Sequence, residues 1–285
     1  MKILETHTAP LLSSRSRLSE YAVGIFASVP TKSGIKKAIK KGLILVNDQR
    51  GVSGQFIIGT EKIDLLEDEN LKKKNINLAL KVVWEDDYLA VIYKTAGLLV
   101  SGNKAKTVTN ALTHNLTPSA HKDAVKPQPV HRLDFATSGL LLIGKTANSI
   151  MNLGKLFENK NIHKTYIAVT IGKMKSQGTI HTPIDEKESL TSYTTLKTIN
   201  SEKFDQLNLV ELTPHTGRRH QLRIHCKSIG NPILGDHEYG CREKNLKGKG
   251  LYLHAKSLEF THPHRQERLT ISLPNPRKFD WLFRD

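Results

Sequence analysis

The sequence predicts an α/β protein of the α+β kind, in which a mixed, largely antiparallel central sheet with flanking helices follows a small N-terminal α/β module. Apolar runs typical of strands recur along the larger part of the chain, without the strand-helix-strand repeat of a doubly wound parallel sheet. A charged stretch at residues 67–75, nearly devoid of apolar side chains, is typical of a linker. We therefore expect a module at residues 1–70, a linker at 71–80 and a larger domain at 81–285.

Composition and charge limit the classes of protein to be considered. A chain of 285 residues with 38% apolar and 25% charged residues has the character of a soluble globular protein with room for one large and one small domain. The excess of 43 basic over 27 acidic residues, a formal net charge of +16, favours a polyanionic partner, with nucleic acid first and an anionic membrane surface second. No run approaches the roughly 20 apolar residues that span a bilayer. With no secretory cleavage pattern and only two cysteines, Cys226 and Cys241, we expect a cytoplasmic protein without a disulfide framework.

The first element along the chain is a short helix at residues 31–42, with Ser33 as its predicted cap and Gly42 as its stop. A strand at residues 43–46 follows and enters a turn at residues 47–48. Ile35, Ala38 and Ile39 form one apolar face of the helix. Most of the thin core that we predict for the module comes from four side chains: Phe26, Ile35, Ile39 and Val46.

In the larger domain, strands are predicted at residues 82–84, 89–93, 140–143, 163–169 and 269–273, and helices at 148–157 and 219–229. The first two strands flank an acidic turn, in which we assign no role to Asp86 or Asp87. Residues 101–129 are polar with few apolar anchors and are predicted to form a long connection, a kind of segment that is often functional or mobile.

The most informative stretch is residues 131–139, with the sequence HRLDFATSG, directly before the apolar run at 140–143. A carboxylate at the edge of a buried strand is unusual, because burial costs it several kcal/mol of solvation unless a cation compensates. Arg132 is the nearest cation in the sequence and would share a strand face with Asp134. From the residues alone, Asp134 is either half of a structural ion pair or a catalytic group.

Residues 139–146 also satisfy the pattern G-x-x-x-x-G-K-[ST] of a phosphate-binding loop. Such a loop bends so that its N–H groups converge on the anion, and it follows a buried strand and opens a helix. Here four bulky apolar residues occupy the loop positions, so we interpret them as the strand itself, with Gly144 and Lys145 at its exit. A nucleotide triphosphatase is therefore a disfavoured alternative.

The whole string at residues 131–142 resembles the signature of the RluA-like pseudouridine synthases, which isomerise uridine to pseudouridine in RNA. Two further motifs agree: residues 164–166 fit the family's Lys-x-Tyr strand, and residues 217–225 fit its Gly-Arg-x-His-Gln-Leu-Arg-x-His pattern. A turn with the sequence GDHEYG at residues 235–240 extends the resemblance, which covers about residues 82–274. Thr95 departs from the family, which has a proline there; this loosens a loop without removing chemistry.

The resemblance implies that Asp134 is the catalytic carboxylate, that Tyr166 lies against the target base, and that Arg223 pairs with Asp134. It implies an isomerisation, which needs no redox carrier, metal or nucleotide, so no cofactor is expected. Whether Asp134 acts as nucleophile or as base stays open. We assign RNA contacts in this domain to four basic residues: Arg132, Arg218, Arg219 and His220.

The helix predicted at residues 219–229 would place Arg219 and Arg223, four residues apart, on one side. Three apolar residues would face the core: Leu222, Cys226 and Ile229. A metal site formed by His220, His225 and Cys226 is disfavoured, because a spacing of five scatters the two histidines around a helix and no Cys-x-x-Cys pair completes the set.

The N-terminal segment resembles an S-four-like RNA-binding module over about residues 15–66, through its order of helix, glycine, strand and turn. Its opening, RLSEY at residues 17–21, departs from the Arg-Leu-Asp of that pattern. In such modules the lysine-bearing helix lies against RNA phosphates, and the resemblance implies such contacts for five lysines: Lys32, Lys36, Lys37, Lys40 and Lys41.

The sequence thus predicts an RNA pseudouridine synthase that works as a monomer, away from membranes. Large-subunit ribosomal RNA is the favoured substrate, and transfer RNA stays open. A non-catalytic RNA-binding or ribosome-assembly factor on the same fold is the rival of another class. The presence of Asp134, Tyr166 and Arg223 argues against that rival.

Overall fold

The computed structural model describes residues 2–68, 76–240 and 248–284. Residues 71–75 of the predicted linker lie outside this part of the chain, and so does Cys241. The predicted division into two domains and a linker stays a prediction. None of the helices in the described ranges has the length and apolar character needed to cross a bilayer.

The strands in chain order are β1 (Ile3–Thr8), β2 (Ser16–Arg17), β3 (Ile44–Val46), β4 (Gln49–Arg50), β5 (Phe56–Ile57), β6 (Lys62–Leu66), β7 (Lys81–Glu85), β8 (Leu89–Lys94), β9 (Ala124–Pro129), β10 (Ser138–Thr146), β11 (His163–Ile171), β12 (Gln177–Ile180), β13 (Thr191–Ser201), β14 (Asp205–Pro214), β15 (Leu253–Thr261) and β16 (Arg268–Ser272). The helices are α1 (Leu18–Tyr21), α2 (Lys32–Lys40), α3 (Val108–Asn115), α4 (Ala147–Glu158), α5 (Gln221–Ser228) and α6 (Arg277–Leu282).

Strands β1 to β6 form a small antiparallel unit, with the order β1-β6-β3-β4 in one sheet and β2 paired with β5 in another. Helix α2 begins after Thr31, whose hydroxyl accepts a hydrogen bond from the N–H of Gly34, so the cap is Thr31 and not the predicted Ser33. The predicted stop is confirmed, because Gly42 has a φ of 71°. The four predicted core residues are all buried: Phe26, Ile35, Ile39 and Val46.

The large sheet has the strand order β12-β13-β14-β11-β15-β10-β8-β7, with β16 also paired to β15 and β9 to β10. The pairing of β10 with β15 is parallel, and the other pairings are antiparallel. The predicted mixed, largely antiparallel sheet is therefore confirmed.

Strands β10 and β15 meet over two residue pairs, Ser138 with His254 and Gly139 with Ala255. Gly139 has a φ of 123°, and a Cβ atom there would lie 2.2 Å from the carbonyl oxygen of Ala255, so this close approach requires glycine. Beyond the two pairs, β10 turns to pair with β9, and β15 turns to pair with β16. We call this point, where the sheet divides, the fork. Apolar side chains on and beside the fork pack into one cluster that includes Leu140, Leu142, Leu153, Leu258 and Phe260.

Two expectations for the larger domain are wrong in detail. The segment 101–129 is not an unstructured connection, since it contains α3 and β9. Helix α3 begins after Thr107, whose hydroxyl accepts a hydrogen bond from the N–H of Asn110. Asp86 in the acidic turn also has a structural role that we did not assign. Its carboxylate accepts hydrogen bonds from two backbone N–H groups, and its Oδ2 lies 3.0 Å from Nε2 of buried His262. Asp87 is exposed, as expected.

Candidate active site

A cleft of about 830 Å³ opens beside the fork. Its walls come from the loop between β9 and β10, from the start of β11, from the loop between β14 and α5, and from the first residue of β15. The three predicted catalytic residues, Asp134, Tyr166 and Arg223, all line it. The fold thus brings together three motifs that are far apart in the sequence.

Asp134 lies in the loop before β10, with 20% of its side chain exposed. Its own carbonyl accepts a hydrogen bond from the N–H of Thr137 at 3.1 Å. The next residue, Phe135, is tied to the loop after β8, because its carbonyl accepts from the N–H of Gly97 at 2.8 Å and from Nζ of Lys94 at 3.3 Å. The loop that presents the carboxylate is therefore held by its backbone.

Lys94 anchors that loop from inside the protein. Its side chain is fully buried and donates to three backbone carbonyls, those of Thr95, Leu98 and Phe135. Burial lowers the pKa of Lys94 to about 8, against an opposing attraction from Asp134. Lys94 directly precedes Thr95, at which the sequence departs from the family, and its anchoring role was not predicted.

Arg223 is held mainly by Asp236, whose side chain is fully buried. Its Nε and Nη2 donate to the two carboxylate oxygens of Asp236, both at 2.7 Å, and Nη2 also lies 3.2 Å from Oε2 of Glu238. Its Nη1 lies 4.0 Å from Oδ2 of Asp134, an ion-pair distance too long for a hydrogen bond. The expected pairing with Asp134 is thus present only at that limit, and Asp236 is the closer partner.

The helix that carries Arg223 differs from the prediction. Helix α5 begins at Gln221 rather than at Arg219, so Arg219 lies before it and is exposed while Arg223 is buried. The two arginines therefore do not project together. Leu222 and Cys226 face the core as predicted, but Ile229 is 37% exposed. The helix is shorter than expected because the residue before Gln221 has a left-handed backbone.

That residue, His220, has a φ of 56°, which is uncommon outside glycine and asparagine. The backbone turns its ring into the cleft, where Nε2 lies 3.7 Å from Oδ1 of Asp134. Its Nδ1 lies 3.0 Å from the hydroxyl of Tyr239 and 3.5 Å from Oε2 of Glu238. Within the described chain, two basic side chains thus lie within 4.0 Å of the Asp134 carboxylate, those of His220 and Arg223, while Arg132 is exposed and is not one of them.

Tyr166 lies on β11 and faces the same cleft. Burial, with a contribution from the charge of Asp134, raises the pKa of its phenol well above the ordinary value. The hydroxyl therefore stays protonated near neutral pH, which suits a ring that packs against a ligand better than one that removes a proton.

The chain is similar to known RNA pseudouridine synthases. Residues 88–228 match the family model described as RNA pseudouridylate synthase. A ribosomal large subunit pseudouridine synthase C of Rickettsia conorii is 34% identical over 85% of this chain and 88% of its own length. A tRNA pseudouridine synthase C of Pasteurella multocida is 33% identical over 68% of this chain and 90% of its own.

The chain belongs to the RNA pseudouridylate synthase family. Members of this family are isomerases that convert uridine to pseudouridine in RNA. The solved structure of human RNA pseudouridylate synthase domain containing 1 superposes with a TM-score of 0.58 at 25% identity, covering 74% of this chain and 87% of that one. The matched region contains Asp134, Tyr166, His220 and Arg223.

In this pseudouridylate synthase, Gln221 fixes the loop that carries the basic residues before α5. Its carbonyl oxygen accepts from the hydroxyl of Thr216 at 2.7 Å and from the N–H of Arg218 at 3.0 Å. Its amide group donates to the carbonyl of Leu190 and to the hydroxyl of Thr191. Arg218 itself is exposed at the cleft, beside Arg219.

The first histidine of the signature has a structural position. His131 accepts a hydrogen bond at Nε2 from the backbone N–H of Leu142, at 3.0 Å, and its ring centre lies 4.8 Å from that of Phe157. Burial and the nearby charge of Lys164 lower the pKa of His131 to about 3, so the ring is neutral. It therefore braces the loop against β10 and carries no charge into the cleft.

The two disfavoured alternatives find no support in this member of the family. Residues 140–143 lie within β10, and the side chain of Lys145 is 2% exposed and donates to Glu85 Oε1 at 2.7 Å. The phosphate-loop pattern is therefore a strand with an internally paired lysine. Of the three residues weighed for a metal, His225 bonds to Ser189 and Thr191, Cys226 lies in the core, and His220 lies in the cleft.

The lysines of α2, and Lys41 directly after it, lie on the surface, and their contacts with RNA phosphates stay a prediction. Lys36, Lys37 and Lys40 are exposed. Lys32 pairs with Glu20 at 3.0 Å, and Lys41 pairs with Asp68. Two of the five predicted phosphate contacts are thus already engaged with carboxylates of the protein.

Proposed function

We propose that this enzyme isomerises selected uridines of large-subunit ribosomal RNA to pseudouridine. The observation that carries the proposal is the carboxylate of Asp134, held in a cleft by its backbone and flanked by Arg223 and His220. The Rickettsia conorii relative, named for the ribosomal large subunit, supports the choice of substrate. Because the Pasteurella multocida relative is named for transfer RNA, that RNA is the second candidate.

The reaction breaks the bond between the ribose and the base nitrogen, turns the base, and rejoins it through a ring carbon. That carbon then gives up its proton and the freed nitrogen gains one, so the product is an isomer of the substrate. Asp134 attacks the sugar as a nucleophile or removes a proton from it as a base, and either role requires the ionised carboxylate. The positive charge of Arg223 lies 4.0 Å from the carboxylate and attracts it, and the ring of His220 lies 3.7 Å from it. Asp236 fixes the guanidinium of Arg223, so Arg223 keeps its distance from Asp134 while the base turns.

Tyr166 forms the wall against which the target base packs. Stacking of a base on an aromatic ring contributes about 1–3 kcal/mol. The raised pKa of its phenol argues that Tyr166 does not remove the proton from the ring carbon as a phenolate. It acts through its ring and, when the base is bound, through its O–H group as a donor.

RNA is held outside the cleft by exposed basic side chains. A uridine must leave its stack to reach Asp134, which costs a few kcal/mol that contacts to the flanking backbone offset. Arg132, Arg218 and Arg219 are exposed at the cleft and are proposed to make such contacts. The S-four-like module adds a second RNA contact through the exposed lysines of α2: Lys36, Lys37 and Lys40. We propose that the enzyme acts as a monomer in the cytoplasm.

The proposal is tested by mapping pseudouridine across total RNA from cells in which the gene is intact, deleted, or restored as one of two variants. Asp134→Asn removes the charge in the cleft, and Asp87→Asn makes the same change at an exposed position in the turn after β7. We expect one or a few ribosomal RNA sites to vanish on deletion, to return with Asp87→Asn, and to stay absent with Asp134→Asn.

The alternatives give different maps. Loss of sites in transfer RNA alone would replace the proposed substrate by the second candidate. Sites that return with Asp134→Asn would exclude Asp134 as the catalytic group. A map without any change on deletion, together with an inactive purified protein that still binds ribosomal RNA, would favour the non-catalytic assembly factor.

A further inference from the structure

Lys164 lies on β11 two residues before Tyr166, and both side chains line the cleft. Alternate residues of a strand share a face, and two residues span roughly 7 Å. The irregularity in the pairing of β11 with β15 adds its extra residue, Lys256, to β15, so the alternation of β11 is kept. The ammonium group of Lys164 therefore lies on the same side of the cleft as the ring of Tyr166, at a distance of about one nucleotide.

This ammonium group lacks an anion. The side chain of Lys164 is half-buried, and within the described chain its Nζ forms no hydrogen bond and no ion pair. Its Nζ lies 5.8 Å from the ring centre of Phe157, a contact that contributes about 0.5–1 kcal/mol and does not replace a counter-ion. Burial lowers the pKa of Lys164, which shows that its surroundings disfavour the charge. A charged lysine is thus held at a cost in a cleft that has room for a ligand.

Of the described residues on this side of the cleft, none supplies a negative charge in an ion pair with Lys164. His131 is neutral and already accepts a backbone hydrogen bond. Arg132 and Lys160 line the cleft and are exposed, which adds positive charge at its rim. Glu158 also lines this side, but it is exposed and forms no ion pair with Lys164 in the described chain.

We propose that Lys164 binds a backbone phosphate of the RNA next to the target uridine, in a phosphate subsite whose floor is the ring of Phe157. The inference rests on the proposed function, because RNA is the occupant. A phosphodiester supplies one negative charge and acceptor oxygens for the ammonium group. Lys164 then holds the RNA backbone on one side of the cleft, while the target base contacts Tyr166 and its sugar contacts Asp134.

The test measures binding of a short fluorescein-labelled oligouridine to the full-length chain across a range of salt concentrations. Lys164→Gln removes the charge, Lys164→Arg keeps it, and Lys81→Gln removes an exposed charge on β7 as a matched control. A second probe has the same bases but uncharged methylphosphonate linkages. Lys164→Met, which keeps an apolar chain over Phe157, is melted beside the wild type.

We expect Lys164→Gln to weaken binding of the phosphodiester probe about tenfold, in line with a lost charge-assisted hydrogen bond. The slope of log affinity against log salt should fall by about 0.7, the value for one contact to a single strand. Lys164→Arg and Lys81→Gln should bind as the wild type does. On the uncharged probe Lys164→Gln should have no effect, and Lys164→Met should melt no lower than the wild type, because it removes an uncompensated charge.

An unchanged salt slope, or an equal loss of affinity on both probes, would overturn the phosphate subsite. A large drop in melting temperature for Lys164→Met would assign the lysine to stability instead. Pseudouridine formation by the wild type is scored separately. If the wild type forms no pseudouridine but Lys164→Gln still weakens binding of the phosphodiester probe, only the proposed function is overturned. If the wild type forms pseudouridine but Lys164→Gln binds that probe as the wild type does, only the subsite is overturned.

Discussion

Replacing Asp236 by Asn tests how the charges around Arg223 are arranged. In the wild type, Asp236 binds two nitrogens of Arg223 at 2.7 Å and accepts from the backbone N–H groups of Glu238 and Tyr239 at 3.0 Å. Burial alone would raise the pKa of Asp236, but these hydrogen bonds and the charge of Arg223 outweigh it and hold that pKa below 3.8. The asparagine keeps the shape and loses the charge.

The expected loss follows from the partners that remain. Removing one member of a buried ion pair costs about 3–5 kcal/mol. Glu238 at 3.2 Å and Asp134 at 4.0 Å still attract Arg223, and the amide oxygen of asparagine still accepts hydrogen bonds. We therefore expect Asp236→Asn to lower the free energy of unfolding by about 2–3 kcal/mol, below that range. Turnover should fall about tenfold, because Arg223 is no longer fixed beside Asp134.

Urea unfolding at several pH values measures the change in the free energy of unfolding, and an assay of pseudouridine formation measures the change in turnover. Because the pKa of Asp236 is depressed in the folded protein, its contribution is present above the ordinary pKa of 3.8 and is lost as the pH falls through the lower folded value. The two proteins should therefore differ at neutral pH and converge in strong acid. A variant as stable as the wild type at pH 7 would refute the account of Arg223, and exposed Asp87→Asn controls for the loss of a surface charge.

Three further changes test other parts of the structure. His220→Asn should melt within about 2 °C of the wild type, because asparagine tolerates the φ of 56°, while its turnover falls; a marked drop in melting temperature would mean that the ring mainly supports the fold. Gly139→Ala should yield little folded protein, since its Cβ would lie 2.2 Å from the Ala255 carbonyl, and ordinary yield and urea stability would contradict the close approach at the fork. Lys145→Met should lose about 2 kcal/mol in urea unfolding, because Glu85 keeps its hydrogen bond from the N–H of Thr117 but loses its cationic partner. Magnesium-ATP should shift the melting temperature of neither Lys145→Met nor the wild type, and a shift for the wild type alone would revive the phosphate-loop alternative.

Elements with a strong local pattern were predictable from the sequence. The helix α2 has an apolar face at Ile35, Ala38 and Ile39, and the strand β10 has a continuous apolar run. In both cases neighbours along the chain decide the structure. Helix α3 also has buried residues, Val108, Ala111 and Leu112 among them, but they stand in a polar segment. Its start depends on the hydroxyl of Thr107, a signal no stronger than that of the other threonines in the segment, so the helix was missed.

The residues of the site that stand in sequence motifs were predictable, but the contacts between them were not. Asp134, Tyr166 and Arg223 were named from the sequence, and all three line one cleft. The closer partner of Arg223 was not found, because a sequence does not rank two carboxylates that reach the same guanidinium from different loops. Asp236 lies in the turn with the sequence GDHEYG, thirteen residues after Arg223, and no local sequence pattern links the two residues. Ion pairs of this kind are decided by tertiary packing.

The fork has a consequence for the synthesis of the enzyme. Asp134 precedes β10 and Tyr166 lies on β11, and the two strands are joined through β15, which begins more than a hundred residues after Asp134 in the chain. Such non-local pairing forms late, because a long loop must close first. A nascent chain whose β15 is still inside the ribosome therefore has both halves of the catalytic cleft and no strand to hold them together. We therefore expect a chain that ends before β15 to have no ordered cleft and not to modify RNA.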